Sequence, residues 1–197
     1  MRNISTRLFD SPLTTLRSGF EVITTCSKSN FDYVKSLGAD VVFDSRSPTV
    51  GSDIRAYTND KLYYAWDCIG EHGSPQAIGE ALASSAPEGQ KIRHGSIMSR
   101  PGDKQHRDGT VFTASLAYTA QGEEVEIMGH RFPPQPADYE FAVKWLELVE
   151  RLYGEGKIRM HRAEVRDGGL DGVLEGLDDL RNGRVSGVKL VYRVADV

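Results

Sequence analysis

Ser27, Lys28, Ser29 and Asn30 set two hydroxyls, an ammonium and an amide side by side, one residue beyond the β-branched run Val22-Ile23-Thr24-Thr25. Donors of this kind at the carboxyl end of a strand suit a phosphate group. In a nucleotide-binding βαβ unit that end lies beside the adenosine ribose, where an acidic residue accepts from the 2′-hydroxyl of NAD. No acid occurs from Val22 to Asn30. The donor set therefore favours the ribose 2′-phosphate of NADP. A helix then begins at Asn30 and stops at Gly38, so capping of that helix by Ser29 or Asn30 is a competing account of the same residues.

Other reactive constellations are weaker. His72, His94, His106, His130 and His161 are scattered, with no C-x-x-C, H-x-x-x-H or H-E-x-x-H spacing, so solvated or loop histidines are the expectation and no metal is expected. Glu123, Glu124 and Glu126 read as a charged loop rather than as paired acids. Asp67, at the end of a strand, reads as a turn residue, and Tyr63, Tyr64 and Trp66 as core and sheet face. There is no Gly-x-Ser-x-Gly elbow.

The elements that must position these groups alternate as in a parallel sheet covered by helices. Strands are predicted at Val41 to Phe43, Lys61 to Ile69, Lys91 to Met98 and Val188 to Val194, with an extended segment along the sheet edge at Val111 to Thr119. Helices are predicted at Val50 to Tyr57 and Pro75 to Ser84, then after the cluster Pro133-Pro134-Gln135-Pro136, and again through Leu170, Val173, Leu174, Leu177 and Leu180. The start is different. MRNISTRLFDSPLTTLRSGF holds no glycine before Gly19 and no G-x-G-x-x-G, and Asp10 to Leu16 reads as a short helix. The expected fold is α/β, an incomplete Rossmann-like, doubly wound and mostly parallel sheet lacking its usual first strand and Gly-rich loop.

A chain of 197 residues with 39% hydrophobic content can bury one real core. A net charge of −4 gives no electrostatic case for nucleic acid or an anionic membrane. With no membrane-length apolar run and no signal-peptide pattern, the expectation is a soluble, cytoplasmic protein. Cys26 and Cys68 fall in predicted strands and are expected to be thiols rather than a disulfide.

The segments GFEVITTCSKSNFDYVKSLGADVVFD, KLYYAWDCIG and GGLDGVLEGLDDLRNGRVSGVKLVYRV together resemble the medium-chain dehydrogenase/reductase superfamily. Within it the chain is most similar to the zinc-independent branch that includes the fungal trans-acting enoyl reductases of polyketide biosynthesis. The resemblance covers Gly19 to Val194 and implies NADPH as cofactor. It carries the 2′-phosphate site to Ser27, Lys28, Ser29 and Asn30, and an adenine-side position to Ser45, where a tyrosine is usual. Nicotinamide-side contacts fall at Ile97 and Met98, and a further cofactor contact at Val185 and Ser186. A substrate-lining segment maps to Ala117, Tyr118, Thr119, Ala120 and Gln121.

The implied reaction is reduction of an α,β-unsaturated acyl thioester, with the acyl chain borne on a polyketide synthase carrier domain. No catalytic side chain is carried over. Residues 1–18 are expected to be an atypical N-terminal segment and residues 19–197 a partial NADP-binding domain with the superfamily's C-terminal helix and strand. The N-terminal GroES-like catalytic domain is expected to be absent, which makes the chain a truncated relative. Two alternatives stand beside this reading: an inactive remnant acting through an interface, and a quinone reductase of the same superfamily.

Overall fold

A parallel strand covered by helices on both sides has to be apolar on both faces, and Glu21–Cys26 (β2) is buried at five of its six positions. In the computed structural model the described residues are 2–6, 20–97, 106–127 and 129–195. The chain divides into two units, Met1–Ile158 and Arg159–Val197.

The first unit is built on a six-stranded sheet of order β3-β2-β1-β4-β5-β6, with every neighbouring pair parallel. The strands are Arg2–Thr6 (β1), β2, Val41–Asp44 (β3), Leu62–Asp67 (β4), Arg93–Ser96 (β5) and Val111–Ala114 (β6). This is the doubly wound order of a dinucleotide-binding sheet, with the chain reversing direction of travel beside β1. The α/β, mostly parallel, Rossmann-like expectation is borne out.

The missing first strand is corrected. β1 occupies the centre of the sheet, paired with β2 on one side and with β4 on the other. A central parallel strand normally reads as a continuous apolar run, and Arg2-Asn3-Ile4-Ser5-Thr6 does not. Backbone pairing along both edges defines it, and hydrophobic pattern is blind to that. The helix expected at Asp10 to Leu16 lies outside the described residues.

Helices cover the two faces unequally. Phe31–Ser36 (α1) packs Val34 with Cys26 and Ala39 on one face. On the other face, Val50–Tyr57 (α2) and Ser74–Ala81 (α3) bury Val50, Ile54 and Ile78 against Ile23, Leu62 and Ala65. Gly51 is what lets α2 and α3 touch. A Cβ placed there would stand 2.5 Å from the Ala77 carbonyl oxygen and 2.6 Å from Glu80 Cβ.

After β6 come a short 3₁₀ helix at Ala117–Gln121, a hairpin of Val125–Ile127 (β7) and His130–Phe132 (β8), and the long helix Pro136–Gly154 (α4). Pro136 belongs to the helix rather than to the preceding loop, since proline at the first turn forfeits no intrahelical bond. The hairpin replaces the charged loop expected around Glu123 to Glu126, and Arg131 lies 3.3 Å from Glu126 and 4.0 Å from Glu124 across it.

The second unit consists of Ala163–Arg166 (β9), Gly169–Arg181 (α5) and Lys189–Tyr192 (β10), with β9 and β10 parallel. Gly172 and Gly176 are buried in α5, and a Cβ on Gly172 would meet the Tyr192 ring at 3.0 Å. The leucines that signalled this helix face outward, with Leu170 at 74% and Leu174 at 69% exposure. No helix among the described residues is long and apolar enough to cross a membrane.

Candidate cofactor site

In a parallel sheet every strand exits on the same edge, so residues that follow β2, β3, β5 and β6 are brought to one side by topology alone. Cys26 pairs with Asp44 and Asp67 with Ser96, which sets the strand exits level in these pairs. Ser27 to Asn30, Ser45, Ile97 and Ala117 to Gln121 all follow such exits. Met98 lies outside the described residues.

Three of the four predicted phosphate-binding residues, Ser27, Ser29 and Asn30, form a hydrogen-bonded set. Asn30 Nδ2 donates to Ser27 Oγ at 3.0 Å, and the Ser27 and Ser29 hydroxyls are 3.1 Å apart. Asn30 is buried and Lys28 is exposed, with its Nζ 3.7 Å from Asp44 Oδ2. No side-chain capping bond comes from Ser27 or Asn30 to the helices they precede. Helix capping by Asn30 therefore does not account for this arrangement. Beneath it lies the buried Cys26 thiol, whose pKa burial, with Asp44 adding to the effect, pushes up to about 11. Both cysteines are free thiols.

Beside the β2 and β3 exits is a cavity of about 290 Å³ whose lining includes Thr25, Ser45, Val50, Ile69 and Gln76. It mixes apolar walls with hydroxyl and amide groups, as a nucleoside site requires. The Ser45 backbone N–H donates to the Cys26 carbonyl at 2.9 Å, which fixes the turn after β3 against the β2 exit.

Asp67 shapes the other side. Fully buried at the end of β4, it accepts from the backbone N–H groups of Ile69 at 2.9 Å and Gly70 at 3.0 Å and from the Ser74 hydroxyl at 2.7 Å. It is the turn residue expected from the sequence, and it ties the β4 exit to the first turn of α3. The Ile97 backbone N–H donates to the Asp67 carbonyl at 3.0 Å, leaving the Ile97 side chain 44% exposed at the edge.

The segment Ala117 to Gln121 divides by role. The buried Thr119 hydroxyl sits between the Leu116 carbonyl, at 2.8 Å, and the Asp138 carboxylate, pinning the 3₁₀ helix to the start of α4. Tyr118 is 54% exposed and open to a ligand. Val185 and Ser186 belong to the second unit. Their turn is held on one side by Arg184, whose Nε lies 2.6 Å from Asp179 Oδ1, and on the other by Arg162, which donates to the Gly187 carbonyl at 3.2 Å.

Sequence reasoning missed Asp44. It considered acids only after β2, whereas this carboxylate reaches Lys28 from the neighbouring strand end, and the terminal Asp of VVFDS was the available signal.

Residues 15–148 match the zinc-binding dehydrogenase family. The chain belongs to this family. It is 42% identical over 177 residues to the trans-enoyl reductase ACTTS2 of Alternaria alternata, covering 90% of this chain and 49% of that protein. It is 37% identical over 179 residues to the trans-enoyl reductase apdC of Emericella nidulans, covering 90% and 52%. The chain thus spans about half the length of the curated relatives it matches.

Among solved structures, the putative zinc-dependent alcohol dehydrogenase protein from Rhizobium etli CFN 42 superposes with a TM-score of 0.72 at 19% identity, over 100% of this chain and 55% of that one. The CurK enoyl reductase superposes with a TM-score of 0.65 at 15% identity, over 98% and 55%. These two likenesses concern the fold. The resemblance drawn from the sequence is borne out for the family and its enoyl reductase relatives. The family name points to zinc, but among the described residues no three His, Cys, Asp or Glu side chains are grouped to hold a metal ion.

Proposed function

We propose that this chain is the cofactor-binding portion of an NADPH-dependent trans-acting enoyl reductase, working on an α,β-unsaturated acyl thioester carried by a polyketide synthase in the cytoplasm. The observation that carries the proposal is the β2 exit: a hydrogen-bonded set of Ser27, Ser29 and Asn30 with the exposed Lys28 among them, beside a nucleoside-sized cavity, in a chain 42% identical to a trans-enoyl reductase. NADPH, when bound, supplies the hydride for the β-carbon of the substrate.

The chain's own residues hold and orient. Lys28 and the Ser27 and Ser29 hydroxyls give charge-assisted donors to the 2′-phosphate. Thr25, Ser45 and the apolar walls of the cavity receive the adenosine end. Ile97, at the β5 exit, shields the nicotinamide end from water, and Tyr118 lines the acyl path. The NADP-binding portion then includes β1 at the centre of its sheet, ahead of the boundary at residue 19 expected from the sequence.

A second reading, a non-catalytic protein acting through an interface, is favoured by one observation. No glycine stands between Thr6 and Gly19, where the pyrophosphate loop of such sheets supplies backbone N–H groups. Calorimetric titration of the folded chain with NADPH and NADH separates the two. Selective NADPH binding, followed by NADPH consumption with a short enoyl thioester, supports the enzyme. Absence of binding by either nucleotide supports the interaction protein.

A further inference from the structure

The carboxylate of Asp44 is the feature of this edge that the cofactor reading leaves unused. It ends β3 directly opposite Cys26, the last residue of β2, and its side chain is 22% exposed. One oxygen, Oδ1, accepts from the Arg46 backbone N–H at 3.0 Å. The other, Oδ2, faces Lys28 Nζ at 3.7 Å. The Lys28 side chain is 80% exposed, so at 3.7 Å the pair holds its solvated ammonium only weakly and leaves it able to swing.

We infer that Asp44 is a specificity-determining residue, which limits the preference for a ribose 2′-phosphate by competing with it for Lys28. A phosphate that draws the ammonium toward itself leaves Asp44 without its counter-charge and next to a second anion. A ribose 2′-hydroxyl meets no such repulsion, because it can donate to the same carboxylate oxygen. The negative charge of Asp44 is also felt at the β2 exit, where it adds to the upward push on the buried Cys26 thiol. The inference rests on the cofactor reading above, since it assigns Lys28 to the 2′-phosphate.

The test is calorimetric titration of the full chain and of Asp44→Asn with NADPH and with NADH at low ionic strength. Asparagine keeps an acceptor for the Arg46 N–H and removes the charge. The ratio of the NADH to the NADPH dissociation constant should rise about five-fold in Asp44→Asn, the size expected for one unit charge about 6 Å from a phosphate in a water-exposed setting. Nearly all of the gain should lie in NADPH, and added salt should erase it. Asp44→Glu, which keeps the charge, should stay near the wild-type ratio.

A wild-type chain that prefers NADPH, with an Asp44→Asn ratio unchanged or lower, overturns the inference alone. In that case Asp44 positions Lys28 for the phosphate instead of opposing it. A folded wild-type chain that binds neither nucleotide overturns the cofactor reading and this inference with it.

Discussion

Lys28 tests the cofactor proposal most directly, because a solvent-facing ammonium can be removed without touching the core. Lys28→Ala is expected to weaken NADPH binding by about ten-fold and to change NADH binding little. Equal losses for the two nucleotides would refute the assignment of this residue to the 2′-phosphate. His94 makes a different kind of prediction. It is 1% exposed in β5, stands edge-on to Phe112 at 5.2 Å, and neither ring nitrogen has a hydrogen-bond partner among the described residues. Burial holds its pKa below the ordinary value, with Asp67 acting upward and His106 downward. The unfolded chain therefore takes up a proton that the folded chain refuses, and stability falls as pH drops below about 6.5. His94→Phe should lessen the loss of urea midpoint between about pH 7 and about pH 5 relative to wild type, and an identical loss in both would show that His94 does not drive it.

Among the elements, the contact of α2 with α3 has the least room. Gly51→Ala would drive a methyl into the Ala77 carbonyl, a backbone atom that cannot swing aside, and should cost about 1–3 kcal/mol by denaturant unfolding. A variant as stable as wild type would mean that the two helices separate at no cost. Their existence was legible in the sequence, since Val50 and Ile54 for one and Ile78 and Leu82 for the other stand four residues apart, and the predicted bounds of α2 coincide with the observed Val50–Tyr57. The β7–β8 hairpin was not legible, because Val125–Ile127 and His130–Phe132 are three-residue strands that carry charge and alternate over too short a span. The leucines of α5 were read correctly as helical, and they face outward. Periodicity reports the face of a helix, and the glycines Gly172 and Gly176 chose the opposite face for the approach of β10.

The whole sheet depends on β1, which holds its two halves together from the centre. Removing residues 1–6 should leave β2 and β4 with unpaired inner edges, abolish cooperative unfolding of the first unit, and end any NADPH binding, as read by calorimetry and light scattering. A shortened chain that still melts cooperatively and stays monodisperse would show the two halves closing on each other. At this scale the donor cluster was legible because its residues are contiguous. Asp44 was not, because strand order alone makes it a neighbour of Lys28. The pairing of β1 with β4 also has a consequence for biosynthesis. On the ribosome, β1 leaves the exit tunnel before either of its partners has emerged, and β2, α1, β3 and α2 must follow before β4 can reach its far edge. Until then the nascent chain exposes a strand awaiting a mate, so a translational pause between Tyr57 and Leu62 would prolong the interval in which chaperone capture and misassembly compete with closure of the sheet.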